Sequence, residues 1–248
     1  MSAVFILWLR QLKRYFRSRA RMIGSLGQPI LFLLALGFGL GPVFARAGSG
    51  DYVQFLAPGI ITMAILFTAV FGGIEIIWDR QFGFLKETLV APVSRLNIVL
   101  GRTLGGATVA LIQGGIVFFV CLAAGFRPAH PALLPLALLV MMLIAVMCTA
   151  IGTALGSILQ DMQGFQLIMN FLVLPLFFFS SALFPVRHLP AAVRLAVRLN
   201  PLSYGVDGLR GALDGSFAFG ALTDIVVLGI LVALLLALGA WLFSKIEA

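Results

Sequence analysis

Apolar and polar positions alternate along this chain in long blocks, not in short steps. Six runs of nearly unbroken hydrophobic residues occupy 22–45, 53–78, 99–125, 132–159, 164–184 and 221–244. Taken as helices at ~1.5 Å per residue, such runs reach roughly 31 to 42 Å, enough to cross a hydrocarbon core of about 30 Å. Pro29, Pro58 and Pro175 fall inside or near the ends of these runs. Spanning helices tolerate proline where neighbouring helices satisfy the freed carbonyls. A β-barrel would show short alternating segments instead. The pattern predicts an all-α, polytopic membrane protein with six transmembrane helices.

The chain opens differently. Phe5, Trp8, Leu9, Leu12 and Phe16 recur at helical spacing, and Arg10, Lys13, Arg14, Arg17 and Arg21 repeat it five residues later. The cationic stripe is therefore rotated by about 140° from the apolar one. Residues 1–21 are expected to form an amphipathic helix in the membrane interface, on the side with anionic lipids. Residues 22–248 then form one six-span domain.

Two polar segments break the apolar pattern. The first, 79–102, reads DRQFGFLKETLVAPVSRLNIVLGR. Phe82, Leu85 and Leu89 share one helical face, with Arg80, Lys86 and Glu87 on others. Pro92 stops that helix, and Ser94 is placed to cap the next. The result is a short amphipathic helix at about 82–92, which either floats in the headgroups or inserts into a groove of a soluble partner.

The second polar segment, about 185–220, opens with Pro185 and contains Pro190 and Pro201. It carries two short helical patterns, near 190–199 and 203–213. Asp207 with Arg210, and Arg210 with Asp214, are spaced for intrahelical pairs. Leu195, Val197, Leu199, Leu202 and Leu209 make it too apolar for a plain solvated loop.

Composition narrows the class. Of the 248 residues 61% are hydrophobic and 10% charged, and mean hydropathy is +1.11. Too few polar side chains remain to cover a water-soluble globule. The net charge of +8 would suggest nucleic acid in a soluble chain. Here its placement matters more. With the N-terminus inside, 11 of the 17 Lys and Arg residues fall on inner segments, including all three lysines. That bias predicts N-terminus and C-terminus both cytoplasmic, with 185–220 outside.

Chemistry-bearing residues are scarce. Cys121 and Cys148 sit inside apolar runs without CxxC spacing, and His130 and His188 stand alone. No metal site is expected. No lysine is preceded by glycine, so no phosphate-binding P-loop exists. Glu75 is the acidic residue clearly inside a predicted span. It either pairs with a basic residue of the N-terminal helix or a neighbouring span, or lines an inner vestibule or relays motion from the short helix at 82–92. Phe177, Phe178 and Phe179 in the fifth run either pack or line a path.

Two motifs carry a resemblance. The stretch from Trp78 to Arg102, with DRQFGFLKETLVAPVSR, and the stretch from Phe184 to Arg210, with FPVRHLP and NPLSYGVDGLR, resemble the permease subunit of type-2 ATP-binding-cassette exporters. That group exports drugs, polyketides, lipo-oligosaccharides and polysaccharides. Gln81 departs from the acidic residue found here in many relatives. The resemblance implies a membrane subunit that forms a path for an amphiphilic substrate and is not itself an enzyme. It makes 82–92 the helix that couples to a separate ATPase subunit, with Phe82, Gly83, Leu85, Glu87, Pro92 and Arg95 at the joint. It makes Asn200, Pro201, Tyr204, Asp207 and Arg210 part of a re-entrant helical pair at an external gate. Glu75 and Phe177 to Phe179 become candidates for the path.

The resemblance also implies two ATPase copies carrying ATP and Mg, no cofactor on this chain, and a second permease copy. It places the protein among the lipids of a bacterial-type inner membrane, with no nucleic-acid partner. The alternative class is an ion-coupled secondary transporter or channel without an ATPase. Such proteins usually carry several intramembrane carboxylates.

Overall fold

The computed structural model describes residues 3–46, 51–84, 93–185 and 190–244. Helices and their connections make up these residues, with no strand among them. Helix α1 (Ala3–Arg17) is followed by α2 (Arg19–Phe32), a π-helical stretch (Leu33–Phe38) and α3 (Gly39–Arg46), which together form the first span. Pro29 and Pro42 lie inside it. A proline removes a helical donor and crowds the preceding turn, and the wider π turn begins four residues after Pro29.

Helix α4 (Tyr52–Phe71) starts at Asp51, whose carboxylate accepts the Val53 N–H at 2.9 Å. A short break separates it from α5 (Ile74–Gln81). Ser94 caps α6 (Arg95–Ala123) as its spacing predicts, its hydroxyl accepting the Asn97 N–H at 3.3 Å. Then come α7 (Leu134–Ile158), α8 (Met162–Phe178), α9 (Ala191–Leu199), α10 (Pro201–Asp214) and α11 (Ala221–Ser244).

Helix α4 is the core of the bundle. Leu56, Ile60, Ile61, Ile65 and Leu66 along it are fully buried, and α6, α7 and α10 pack around it. Helix α11 is apolar along nearly all its length, apart from a buried Asp224 in its first turn, and little of it is buried. A helix hydrophobic all round belongs against lipid or another chain.

Among the described residues five helical stretches are long and apolar enough to cross a membrane: Met22–Phe44, Tyr52–Gln81, Arg95–Ala123, Pro131–Ile158 and Ala221–Phe243. The fifth run differs from its expectation. Its helix stops at Phe178 after 17 residues, about 25 Å. The chain then turns at Phe179–Ser181, with Ser181 at φ 61°, and runs on without helix past α4. There the absent side chain of Gly59 makes room, since a Cβ on it would lie 2.7 Å from the Ala182 carbonyl oxygen.

Candidate functional site

Three features of the bundle gather polar side chains among apolar ones. The first is at the end that holds α1. Asp79 sits on α5 with its side chain buried. Arg10 of α1 grips it with two nitrogens, Nη2 to Oδ1 at 2.7 Å and Nη1 to Oδ2 at 3.1 Å. Arg102 of α6 donates to Oδ2 at 2.7 Å, and Arg14 approaches Oδ1 to 3.7 Å. One carboxylate thus ties the N-terminal helix, the second span and the third span together. Its neighbour Arg80 turns the other way, donating to the carbonyls of Leu159 and Ser157 at 3.1 and 2.9 Å. These are among the open carbonyls at the end of α7, which a helix cannot satisfy from within.

This revises the reading of α1. The stripe of Phe5 and Phe16 remains exposed. The face that packs on protein holds Leu7 and Tyr15, both buried, with Trp8 donating to Thr108 at 3.1 Å and Tyr15 to Gln113 at 2.5 Å. Gly101 and Gly105 of α6 permit the approach, because a Cβ on either would press into Leu7 or Gln11. Two of the cations expected to face lipid headgroups, Arg10 and Arg14, are turned onto Asp79 and Glu75.

Glu75 is buried on α5, with Arg14 Nη1 at 3.7 Å. The pairing with the N-terminal helix is the arrangement found. Glu75 lines a small cavity with Arg102, Thr68, Thr149 and Thr153.

Phe82 is 82% exposed, Gly83 adopts φ +79°, and the Phe84 ring lies 3.6 Å beneath the Arg10 guanidinium. Arg95 opens α6, half-buried. Leu85, Lys86, Glu87 and Pro92 lie outside the described residues.

The second feature is at the opposite end. Asn200 both caps α10, accepting the Leu202 N–H at 2.9 Å, and donates to the Leu176 carbonyl at 2.7 Å. Ser203 donates to the Phe179 carbonyl at 3.2 Å and Arg210 to that of Ser181 at 3.1 Å. Asn200 and two polar side chains of α10 thus hold one carbonyl in the last turn of α8 and two in the turn that follows it. Pro201 takes the first helical turn, where its missing N–H is harmless. Tyr204 donates to the Arg198 carbonyl at 2.9 Å and stacks near Phe219.

The intrahelical ion pairs suggested by spacing do not form. Among the described residues no salt bridge within 4.0 Å joins Arg210 to Asp207 or Asp214. Arg210 lies over the Phe55 ring at 4.2 Å, and Asp207 accepts the backbone N–H groups of Ala218 and Phe219 at 2.8–2.9 Å. Tertiary partners replace local ones because α10 is buried along almost its whole length.

The third feature is a cleft of about 540 Å³ between the first, second and fifth spans. Ser25, Gln28, Thr68 and Asn170 bring polar groups to a wall otherwise formed by residues such as Phe67, Phe71 and Leu174. Sequence reasoning missed Gln28 and Asn170, although a lone amide inside an apolar run is a visible signal. The phenylalanine run divides. Phe177 is buried against Phe32, with ring centroids 6.4 Å apart, while Phe178 and Phe179 are exposed.

Comparison with known proteins agrees with this architecture. The family model described as ABC-2 type transporter matches residues 2–213. The ycf38 transport permease of Porphyra purpurea is 30% identical over 246 residues, covering 93% of this chain and 84% of that protein. Its counterpart in Pyropia yezoensis is 31% identical over 207 residues, covering 81% and 70%. Nodulation protein J of Rhizobium leguminosarum bv. trifolii is 30% identical over 198 residues, covering 79% and 75%. With five spanning helices, a shorter sixth and these relatives, the chain belongs to the ABC-2 type transporter family and is a multi-pass membrane permease subunit of an ABC exporter.

Proposed function

We propose that this chain supplies half of a translocation path for an amphiphilic substrate and couples it to a separate ATPase through the segment at 82–92. The observation that carries the reading is the exposed Phe82 directly beyond the buried Asp79 joint. Apolar surface that protrudes while its base is locked into three elements suits a docking element. Push on that element and Asp79 passes the force to α1 and α6, Arg80 to α7.

In this reading Phe82, Gly83, Leu85, Glu87, Pro92 and Arg95 form the joint with the ATPase, and that end of the bundle is cytoplasmic, with both termini. Two ATPase copies bind ATP and Mg. Helices α9 and α10 form the external re-entrant pair, with Asn200, Pro201, Tyr204, Asp207 and Arg210 holding it against the fifth span. A second permease copy closes the path. The polar cleft of Gln28 and Asn170, with Phe178 and Phe179 beyond it, faces the substrate. A drug, a lipid or a lipid-linked saccharide fits a wall that is apolar with a few amides.

The test is co-expression with the cognate ATPase in a bacterial inner membrane. The complex should co-purify, hydrolyse ATP, and retain a lipid or glycan identifiable by mass spectrometry. A permease that transports without any ATPase would refute the reading.

A further inference from the structure

The second span is broken just above the Asp79 joint. Helix α4 ends at Phe71, and α5 begins at Ile74, with Gly72 and Gly73 between. Across the break the backbone tightens. Gly73 donates to Val70, Glu75 to Gly72 and Ile76 to Gly73, at 3.0–3.2 Å, each reaching three residues back where an α-helix reaches four. A tightened stretch inside a helix often marks a hinge, and glycine pairs are common at kinks.

The break also lies against a smooth wall. A Cβ on Gly73 would fall 2.1 Å from the Gly152 carbonyl oxygen, and one on Gly156 would fall 2.4 Å from that of Gly73. At this point of the contact with α7, backbone meets backbone, with no side chain between. Beside the break lies a cavity of about 20 Å³, lined by Gly72, Glu75, Arg102, Thr68, Thr149 and Thr153. It has room for about one water. Arg102, one of its lining residues, has Nε and Nη1 buried and without an acceptor among the described residues.

We propose that the second span bends at Gly72–Gly73, so that α5 swings as a short lever on α4, with one water in the adjacent cavity solvating Arg102 as the turn opens and closes. This rests on the exporter reading, because the lever carries the docking segment at one end and the Asp79 and Arg80 contacts along its length. Without the break, movement of the docking segment would have to tilt the whole buried core helix α4.

The experiment uses hydrogen–deuterium exchange on the purified permease, and on its complex with the ATPase. Amides 73–76 should exchange faster than 60–66 of the same span, and ATP should change the first group alone. Gly72→Ala stiffens the break, because alanine favours continuous helix where glycine does not, and its Cβ 3.1 Å from the Ala69 carbonyl oxygen asks only a small shift. It should slow exchange at 73–76, leave ATPase co-purification unchanged and lower export about tenfold, a usual size for lost coupling. Equal, slow exchange of both segments in the unmodified protein, or full export by Gly72→Ala, would overturn the hinge. Failure of the unmodified permease to bind an ATPase would instead remove the exporter coupling, and exchange in the permease alone still decides the hinge.

Discussion

The carboxylate of Asp79 lies 2.7 Å from the guanidinium of Arg102, whose side chain is only 3% exposed. An ion pair this deep is weak evidence for added stability, but breaking it strands a buried charge. Asp79→Ala, which strands Arg102, should destabilise the solubilised protein by about 3–5 kcal/mol; Arg102→Met leaves Asp79 its two bonds from Arg10 and should cost less, and the double variant should lose much less than the sum. Arg10 is more exposed, so Arg10→Ala should cost about 1 kcal/mol or less. Thermal unfolding in detergent measures the order. Equal losses at Arg10 and Arg102 would contradict it.

Phe82 separates docking from folding. Its ring contributes little to the bundle, so Phe82→Asp should change stability by no more than about 0.5 kcal/mol. The same variant should lose ATPase co-purification, because an unpaired charge in a buried interface is unfavourable. Normal co-purification would move the docking surface elsewhere.

The spans, the amphipathic start and the paired helices near 190–213 were all legible from periodicity, because hydrophobic pattern is a local property. The partners were not. Asp79 looked like the first residue of a polar loop, since nothing in its neighbours says that Arg10 and Arg102 converge on it. The 3.6-residue stripes of α1 predicted an amphipathic helix correctly, yet assigned Arg10 and Arg14 to lipid headgroups. Only tertiary packing shows the carboxylates beneath them. Spacing likewise paired Arg210 with Asp207, whereas the Ser181 carbonyl in the turn after α8 is the partner found for Arg210. The break at Gly72–Gly73 was readable in principle, as two adjacent glycines inside an apolar run.

Glycines fall into two groups that mutation should distinguish. A Cβ on Gly152 would lie 2.4 Å from the Val70 carbonyl oxygen, whereas Gly24, Gly27 and Gly41 have open space around them. Gly152→Ala should destabilise the bundle by about 1–3 kcal/mol through overpacking. Gly24→Leu and Gly41→Leu should leave the single chain's unfolding temperature unchanged but weaken association of two permease copies, if the first span meets its mate there. Cross-linking yields of single cysteines along the first and fifth spans, compared with and without these changes, measure it. Unaltered yields would place the contact on another face.

Orientation has a direct check. Ala192 on α9 and Lys13 on α1 are both exposed. In intact cells Ala192→Cys should react with a membrane-impermeant maleimide, and Lys13→Cys only after permeabilisation. Buried Cys121 and Cys148 should stay silent. The reverse pattern would invert the bundle and place the docking segment on the wrong side for ATP.

Gln28 and Asn170 offer the sharpest test of the path. Both are exposed on spans that otherwise present apolar surface, and both line the cleft between the first and fifth spans. An amide facing lipid has no structural use there, because it must leave water without a compensating bond. Were these residues merely tolerated, Gln28→Leu and Asn170→Leu would leave export intact. If they contact substrate, the two variants should lower export by about tenfold, the loss of roughly 1.4 kcal/mol of polar interaction. Stability in detergent should stay the same or rise, since leucine suits an apolar surroundings better than an amide. ATPase co-purification should be unchanged, as neither residue lies near Phe82. Reduced export with preserved assembly and preserved stability is therefore the signature expected of a path residue, and full export by the double variant would assign the cleft to packing alone.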